Sequence, residues 1–135
     1  MGGEPNEVSE MWQTVTLPEG TQSITVSFKY YLRADELYYY DDHSFAGAQL
    51  WSGDAGMLLY DFMTVANQDA DSTWTEFTET IDATSWAGTE VQLYFWASIG
   101  TYLYLCGEDP DYYYCDIGAM DFFVDTTSLT ATVCE

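Results

Sequence analysis

Two short stretches concentrate the side chains that could do chemistry. Cys106-Gly107-Glu108-Asp109-Pro110-Asp111-Tyr112-Tyr113-Tyr114-Cys115 sets acids and three consecutive tyrosines between two cysteines, and Asp116 follows at once. Tyr38-Tyr39-Tyr40-Asp41-Asp42 repeats the theme, with Asp35 and Glu36 just before it. Carboxylates gathered in loops suit a hard cation: calcium takes about six to eight oxygens at roughly 2.3–2.6 Å. Asp35, Asp41, Asp42, Glu108, Asp109, Asp111 and Asp116 supply oxygens of that kind. No D-x-D-x-D-G spacing occurs, so calcium is expected from composition alone, and the bland counterpart is a solvated acidic rim. The rings of Tyr38, Tyr39, Tyr40, Tyr112, Tyr113 and Tyr114 can stack on the apolar faces of sugars while Asp oxygens accept hydroxyl hydrogens. They can equally form a protein contact, since tyrosine offers large amphipathic area at small entropic cost. In an extended triplet the middle ring points away from its neighbours, so about half the rings are expected to pack inward.

Catalytic chemistry is poorly supplied. His43 is the single histidine, and no G-x-S-x-G elbow is present for a serine nucleophile. Cysteine–histidine catalysis would need a free activated thiol beside that same histidine. With 23 acids in the chain, carboxylate pairs of the glycosidase type arise by chance. No enzyme activity is expected. Cys106 and Cys115 lie close in sequence with Gly107 and Pro110 between them, which suits a local disulfide; a pair of reduced thiols is the alternative. Closing that loop would stabilise by roughly 2.5–3 kcal/mol on the chain-entropy model. A disulfide implies an extracellular or cell-surface setting. Cys134 is then left over, and a four-ligand zinc site has too few residues.

The whole chain bounds these readings. Its 135 residues are 47% hydrophobic, which fits one domain, 1–135, with a single core. Apolar runs are far shorter than a membrane span requires. The first residues read as a cut from a longer protein, so neighbouring domains are expected partners. Lys29 and Arg33 stand against 23 acids, a formal net charge of −21. Such a chain repels phosphate backbones and anionic lipid, which excludes nucleic acid and membrane insertion as expected roles. It attracts cations and pays self-repulsion at low salt.

The elements that must carry the two Tyr/acid stretches are strands. Ile24, Val26, Phe28, Tyr30 and Leu32 alternate with Ser23, Thr25, Ser27, Lys29 and Tyr31. Val91, Leu93, Phe95 and Ala97 alternate with Gln92, Tyr94, Trp96 and Ser98, and Phe122 and Val124 with Asp121, Phe123 and Asp125. Strands are predicted over about 12–17, 22–33, 45–51, 57–65, 74–82, 89–98 and 119–133, separated by turn residues. Short antiparallel strands with regular turns predict an all-β fold, an antiparallel β-sandwich of jelly-roll type. Connections in such a fold alternate between its two ends. The turns near 18–20, 53–56 and 84–88 fall at one end; the connections 34–44, 66–73 and 100–118, with both tyrosine triplets, fall at the other. Tyr31, Trp51, Tyr94, Trp96 and Phe123 face away from the assigned core, and form one aromatic patch if their strands share a sheet. Trp12, Trp74 and Trp86 are assigned to packing.

These strands carry a resemblance. Gly2-Gly3-Glu4-Pro5-Asn6 with Gln13-Thr14-Val15-Thr16-Leu17-Pro18, the SITVSFKY strand Ser23–Tyr30, WTEFTETIDATSWAG over Trp74–Gly88, Glu90–Phe95 and FFVDTTSL over Phe122–Leu129 resemble bacterial MAM-like jelly-roll modules of the galactose-binding-like kind. Such modules are appended to secreted peptidases and surface proteins. The resemblance covers nearly the whole chain and implies a non-catalytic accessory that binds sugars, proteins or calcium. It adds Asp125 as a metal ligand, although Thr126 stands where the family has a second Asp. The family's opening strand has no counterpart, and the cysteine-closed tyrosine loop is an addition. The expected function is an extracellular binding or adhesion module for a carbohydrate or a protein surface, stabilised by calcium. The alternative is a building block of a cell-surface layer or filament that self-associates through aromatic patches.

Overall fold

The computed structural model describes residues 8–34, 44–100, 102–105, 114–117 and 120–134, with the backbone alone for 102–105 and 114–117. Their elements are β1 (Val8–Thr16), β2 (Thr21–Ala34), β3 (Phe45–Ser52), β4 (Leu58–Ala66), β5 (Trp74–Asp82), β6 (Glu90–Ser98), β7 (Tyr102–Leu105), β8 (Tyr114–Ile117) and β9 (Met120–Val133), with short 3-10 turns at Asn67–Asp69 and Thr84–Trp86. All strand pairing is antiparallel. One sheet has the order β1-β6-β3-β4 and the other β5-β2-β9, while β7 and β8 pair as a separate hairpin. The fold is an all-β sandwich, as the alternation predicts.

The period-two pattern sorts side chains as expected. Ile24, Val26, Phe28 and Leu32 on β2 and Val91, Leu93, Phe95 and Ala97 on β6 are buried, while Tyr30 and Val124 pack against them at the edge of the core. Phe28 joins the layers. Its ring stacks on Phe77 of the neighbouring strand at 4.8 Å and meets Phe95 of the facing sheet edge-on at 5.1 Å, an arrangement that suits the ring quadrupoles.

Both ends of the sandwich are tied by hydrogen bonds. At one end Leu17 N–H donates to Thr89 O (2.9 Å), Gly88 N–H to Pro18 O (3.1 Å) and Gly53 N–H to Glu90 O (2.9 Å). Gly88 and Gly20 take positive φ, 74° and 81°, which glycine adopts without strain. At the other end Ser44 N–H donates to Asn67 Oδ1 (3.2 Å), Asn67 N–H to Ser44 O (3.0 Å), and Gly100 N–H to Ser44 Oγ (3.1 Å). The anchors of the three long connections therefore meet at one end, as the alternation of ends requires. Two expectations change. The segment 100–118, read as one connection, contains the paired strands β7 and β8, and the first strand begins at Val8 and not near 12. β1 pairs with β6 along its whole length, but its burial does not alternate, so no hydrophobic period marks it.

Candidate functional site

The site grows from the pleat of β6. Leu93 and Phe95 point into the core, so Gln92, Tyr94 and Trp96 point out. Register places Trp12 of β1 beside Tyr94, and Glu10 beside Trp96. On the other flank it places Gln49 beside Tyr94, Trp51 beside Gln92, and Gly47 beside Trp96. Directly opposed residues share a face, so three strands build one aromatic surface on the outside of the four-stranded sheet.

Its rings are held by polar neighbours. Trp51 and Tyr94 meet edge-on at 6.2 Å, and Trp51 Nε1–H donates to Gln49 Oε1 at 2.9 Å. Gln92 Nε2–H donates to Gly53 O at 3.2 Å. Desolvation, and then a hydrogen bond from its hydroxyl to the Glu10 carboxylate, push the Tyr94 phenol up to about 12. Trp96 lies over bare backbone: a Cβ at Gly47 would stand 2.4 Å from Met63 O and 2.9 Å from Trp96 Nε1. That indole Nε1 is buried and has no hydrogen-bond partner among the described residues.

A shallow depression runs over this surface. One part, of about 190 Å³, is lined by Glu10, Trp51, Ala55, Gln92 and Tyr94. The adjoining part, of about 160 Å³, exchanges Trp51 for Trp12. The β3–β4 turn supplies Ala55 as a wall and is braced by Asp54, whose carboxylate accepts from Ser52 Oγ (2.6 Å) and Gly56 N–H (2.9 Å). Those two bonds hold the Asp54 carboxyl below its usual value. Lys29 and Arg33, the chain's two basic residues, both lie on β2 of the other sheet. The surface therefore offers flat rings, amide groups, a phenol and a carboxylate, with no cation beside them. It can stack on a pyranose and hydrogen-bond its hydroxyls, and it disfavours anions.

The five outward rings form one patch only if their strands share a sheet; the strands belong to two sheets, and the rings divide between opposite faces. Trp51, Tyr94 and Trp96 belong to the surface above. Tyr31 and Phe123 lie on the outside of the other sheet, 5.9 Å apart, with Arg33 over Phe123 and paired to Asp121. Trp12 and Trp74 are not packing residues: they are 56% and 54% exposed, and each extends one cluster, Trp74 lying 5.6 Å from Tyr31. Both sit on edge strands, beyond which no further strand pairs among the described residues. Trp86 does pack against the core.

Most residues singled out in the acidic loops lie outside the described residues: Tyr38, Tyr39, Tyr40, Tyr112, Tyr113, Asp35, Asp41, Asp42, Glu108, Asp109, Asp111 and Cys106. Tyr114, Cys115 and Asp116 belong to β8, where their backbones face Leu105, Tyr104 and Leu103. Asp125 is exposed on β9, and its Oδ1 accepts from Thr126 N–H at 2.8 Å. Among the described residues no cluster of three or more Asp, Glu, His or Cys is placed to hold a metal ion. None of their helices is long and apolar enough to cross a membrane.

No protein-family model and no curated protein sequence matches the chain. Solved structures share its fold. The enzymatically active domain of tailspike protein 4 from bacteriophage CBA120 is similar with a TM-score of 0.53 and 10% identity, over 96% of this chain and 15% of that one. TmCBM61, solved in complex with β-1,4-galactotriose, is similar with a TM-score of 0.48 and 13% identity, over 95% of this chain and 67% of that one. Xylanase10C from Cellvibrio japonicus, with xylopentaose, is similar with a TM-score of 0.46 and 8% identity, over 89% and 20%. At 10% identity the likeness to the tailspike domain shows the fold alone. The tailspike and the xylanase are several times longer than this chain.

Proposed function

We propose that this chain is a carbohydrate-binding module, non-catalytic and working outside the cell, that holds a neutral polysaccharide on the outer face of the β1-β6-β3-β4 sheet. The observation that carries the reading is the placement of Trp12, Tyr94 and Trp51 on three successive strands. Strands lie about 4.8 Å apart, so the row spans roughly two sugar units. Glu10, Gln49 and Gln92 stand beside the rings as hydroxyl partners. Acids without a neighbouring cation favour a neutral chain over a uronate or sulfated one. The acidic tyrosine loops extend the proposal: calcium would order them, and they would add contacts beyond the sheet.

Affinity electrophoresis through soluble galactan, xylan, mixed-linkage glucan and polygalacturonate tests it. At least one neutral polymer should retard the chain, and polygalacturonate should not. Trp12→Ala and Trp51→Ala should each weaken binding about tenfold or more, about 1.4 kcal/mol, with an unchanged unfolding midpoint for the exposed Trp12. Retardation by no neutral polymer, or equal binding by both variants, would sink the reading.

A further inference from the structure

Apart from the proposed sugar face, the flank of the sandwich carries a cleft. Among the described residues four strands face three, and no strand covers β1. Its inward positions Met11 and Gln13, the register partners of Phe95 and Leu93, are open: Met11 is 45% exposed and Gln13 is exposed. Between β1 and the edge of β9 lies a cleft of about 320 Å³ lined by Met11, Gln13, Leu93, Phe95 and Thr127, with Trp12 at its mouth. It continues for about 190 Å³ past Val15, Ser128 and Leu129. Leu93 and Phe95, themselves buried, thus form the floor of a groove whose exposed wall is Met11 and Gln13.

The edge that borders this groove belongs to β9, the last strand of its sheet. β9 pairs with β2 on one side, and among the described residues no strand pairs with its other side. A bulge divides that edge: Ser27 faces Ser128 and Lys29 faces Asp125, so Thr126 and Thr127 both stand opposite Phe28. Thr126 takes φ 52°, and Asp125 caps its N–H. Bulges of this kind interrupt edge pairing; beyond this one the pairing with β2 runs in unbroken register from Ser128 to Thr132, and one further shift precedes Val133. A strand laid about 4.8 Å beside this stretch would lie across from β1 and cover Met11 and Gln13.

We infer that the 127–133 edge of β9 and the adjoining cleft form a docking site for an extended segment of another polypeptide, with alternate apolar residues turned into the cleft and basic residues turned out. Backbone pairing supplies the affinity and the cleft reads the apolar positions, the mode of recognition by strand addition. Charge selects the source. A second copy carries the same −21 and is repelled, whereas lysines on the outward edge of a partner strand meet a strongly acidic protein. Residues 1–7, Met-Gly-Gly-Glu-Pro-Asn-Glu, have two acids, a proline and no apolar alternation, so they do not fit the groove by type.

The test uses the whole chain and four synthetic eight-residue probes: alternating valine–lysine, the same residues in two blocks, and the alternating peptide N-methylated on all valines or on all lysines. Each methylated probe loses the pairing groups of one edge. Amide hydrogen exchange is followed by NMR. The alternating probe should slow exchange within 127–133 at least tenfold at saturation. One methylated form should keep this effect and the other should lose it, and the block peptide should bind more weakly. Protection elsewhere, or none, overturns the inference. So does equal binding by both methylated forms or by the block peptide, which would mean attraction of charge without strand pairing. A chain that sediments as a dimer with 127–133 already protected also overturns it, since the occupant is then a second copy.

Discussion

At Tyr94, one phenol reports on the proposed binding surface. Its hydroxyl gives a hydrogen bond to Glu10, and together with desolvation this raises its pKa to about 12. The folded state therefore favours the protonated phenol more than the unfolded chain does. The resulting stability is complete below the unfolded value of about 10 and is lost as pH rises through about 12. Glu10→Gln keeps an acceptor but removes the charge, so the Tyr94 titration, followed by phenolate absorbance, should move down towards 10. No shift in that variant would mean that Glu10 does not hold the hydroxyl. Trp51 and Gln49 are bound to each other by a neutral hydrogen bond, so this pair should be insensitive to the same pH change.

Among the elements, β3 and β6 decide the shape of the surface. Gly47 lets Trp96 lie flat against β3, and an added methyl would press on Met63 O. Gly47→Ala should cost about 1–3 kcal/mol, the usual range for overpacking, read as a lower urea midpoint. It should also tilt the Trp96 ring and change its fluorescence. A variant as stable as the parent would show that the β3–β4 pair can open to admit the methyl. The core pin is Phe28, which is fully buried between Phe77 and Phe95. Phe28→Ala should cost about 3–5 kcal/mol, measured in the same way. β1 is the weak element of the sheet, because it is an edge strand on which Met11 and Gln13 are exposed. Its amides should exchange faster than those of β6.

Across the whole molecule, 23 acids and two basic residues make stability a function of the medium. Sodium chloride should raise the unfolding temperature by screening self-repulsion. Calcium at matched ionic strength separates screening from a site. A further rise at millimolar calcium, about 4 kcal/mol for a micromolar site, would support metal in the acidic loops; equal responses would remove it from the proposal.

The sequence by itself determined the fold class, most strand ranges and the core, because a β-strand writes its buried face as alternation. Val91 to Ala97 and Ile24 to Leu32 are legible for that reason. It also determined the charge, and hence the kinds of ligand the chain repels. β1 was legible only in its C-terminal half, since an edge strand exposed on both faces shows no alternation. The β7–β8 hairpin is not legible in the sequence, because four-residue strands are too short to show a period. Only the tertiary structure decided which outward rings meet. Alternation assigns Trp51, Tyr94, Tyr31 and Phe123 to outer faces, but the face of which sheet depends on strand order, and strand order is set by long-range pairing. The same pairing exposed Trp12 and Trp74, set three strands against four, and so opened the cleft beside β9.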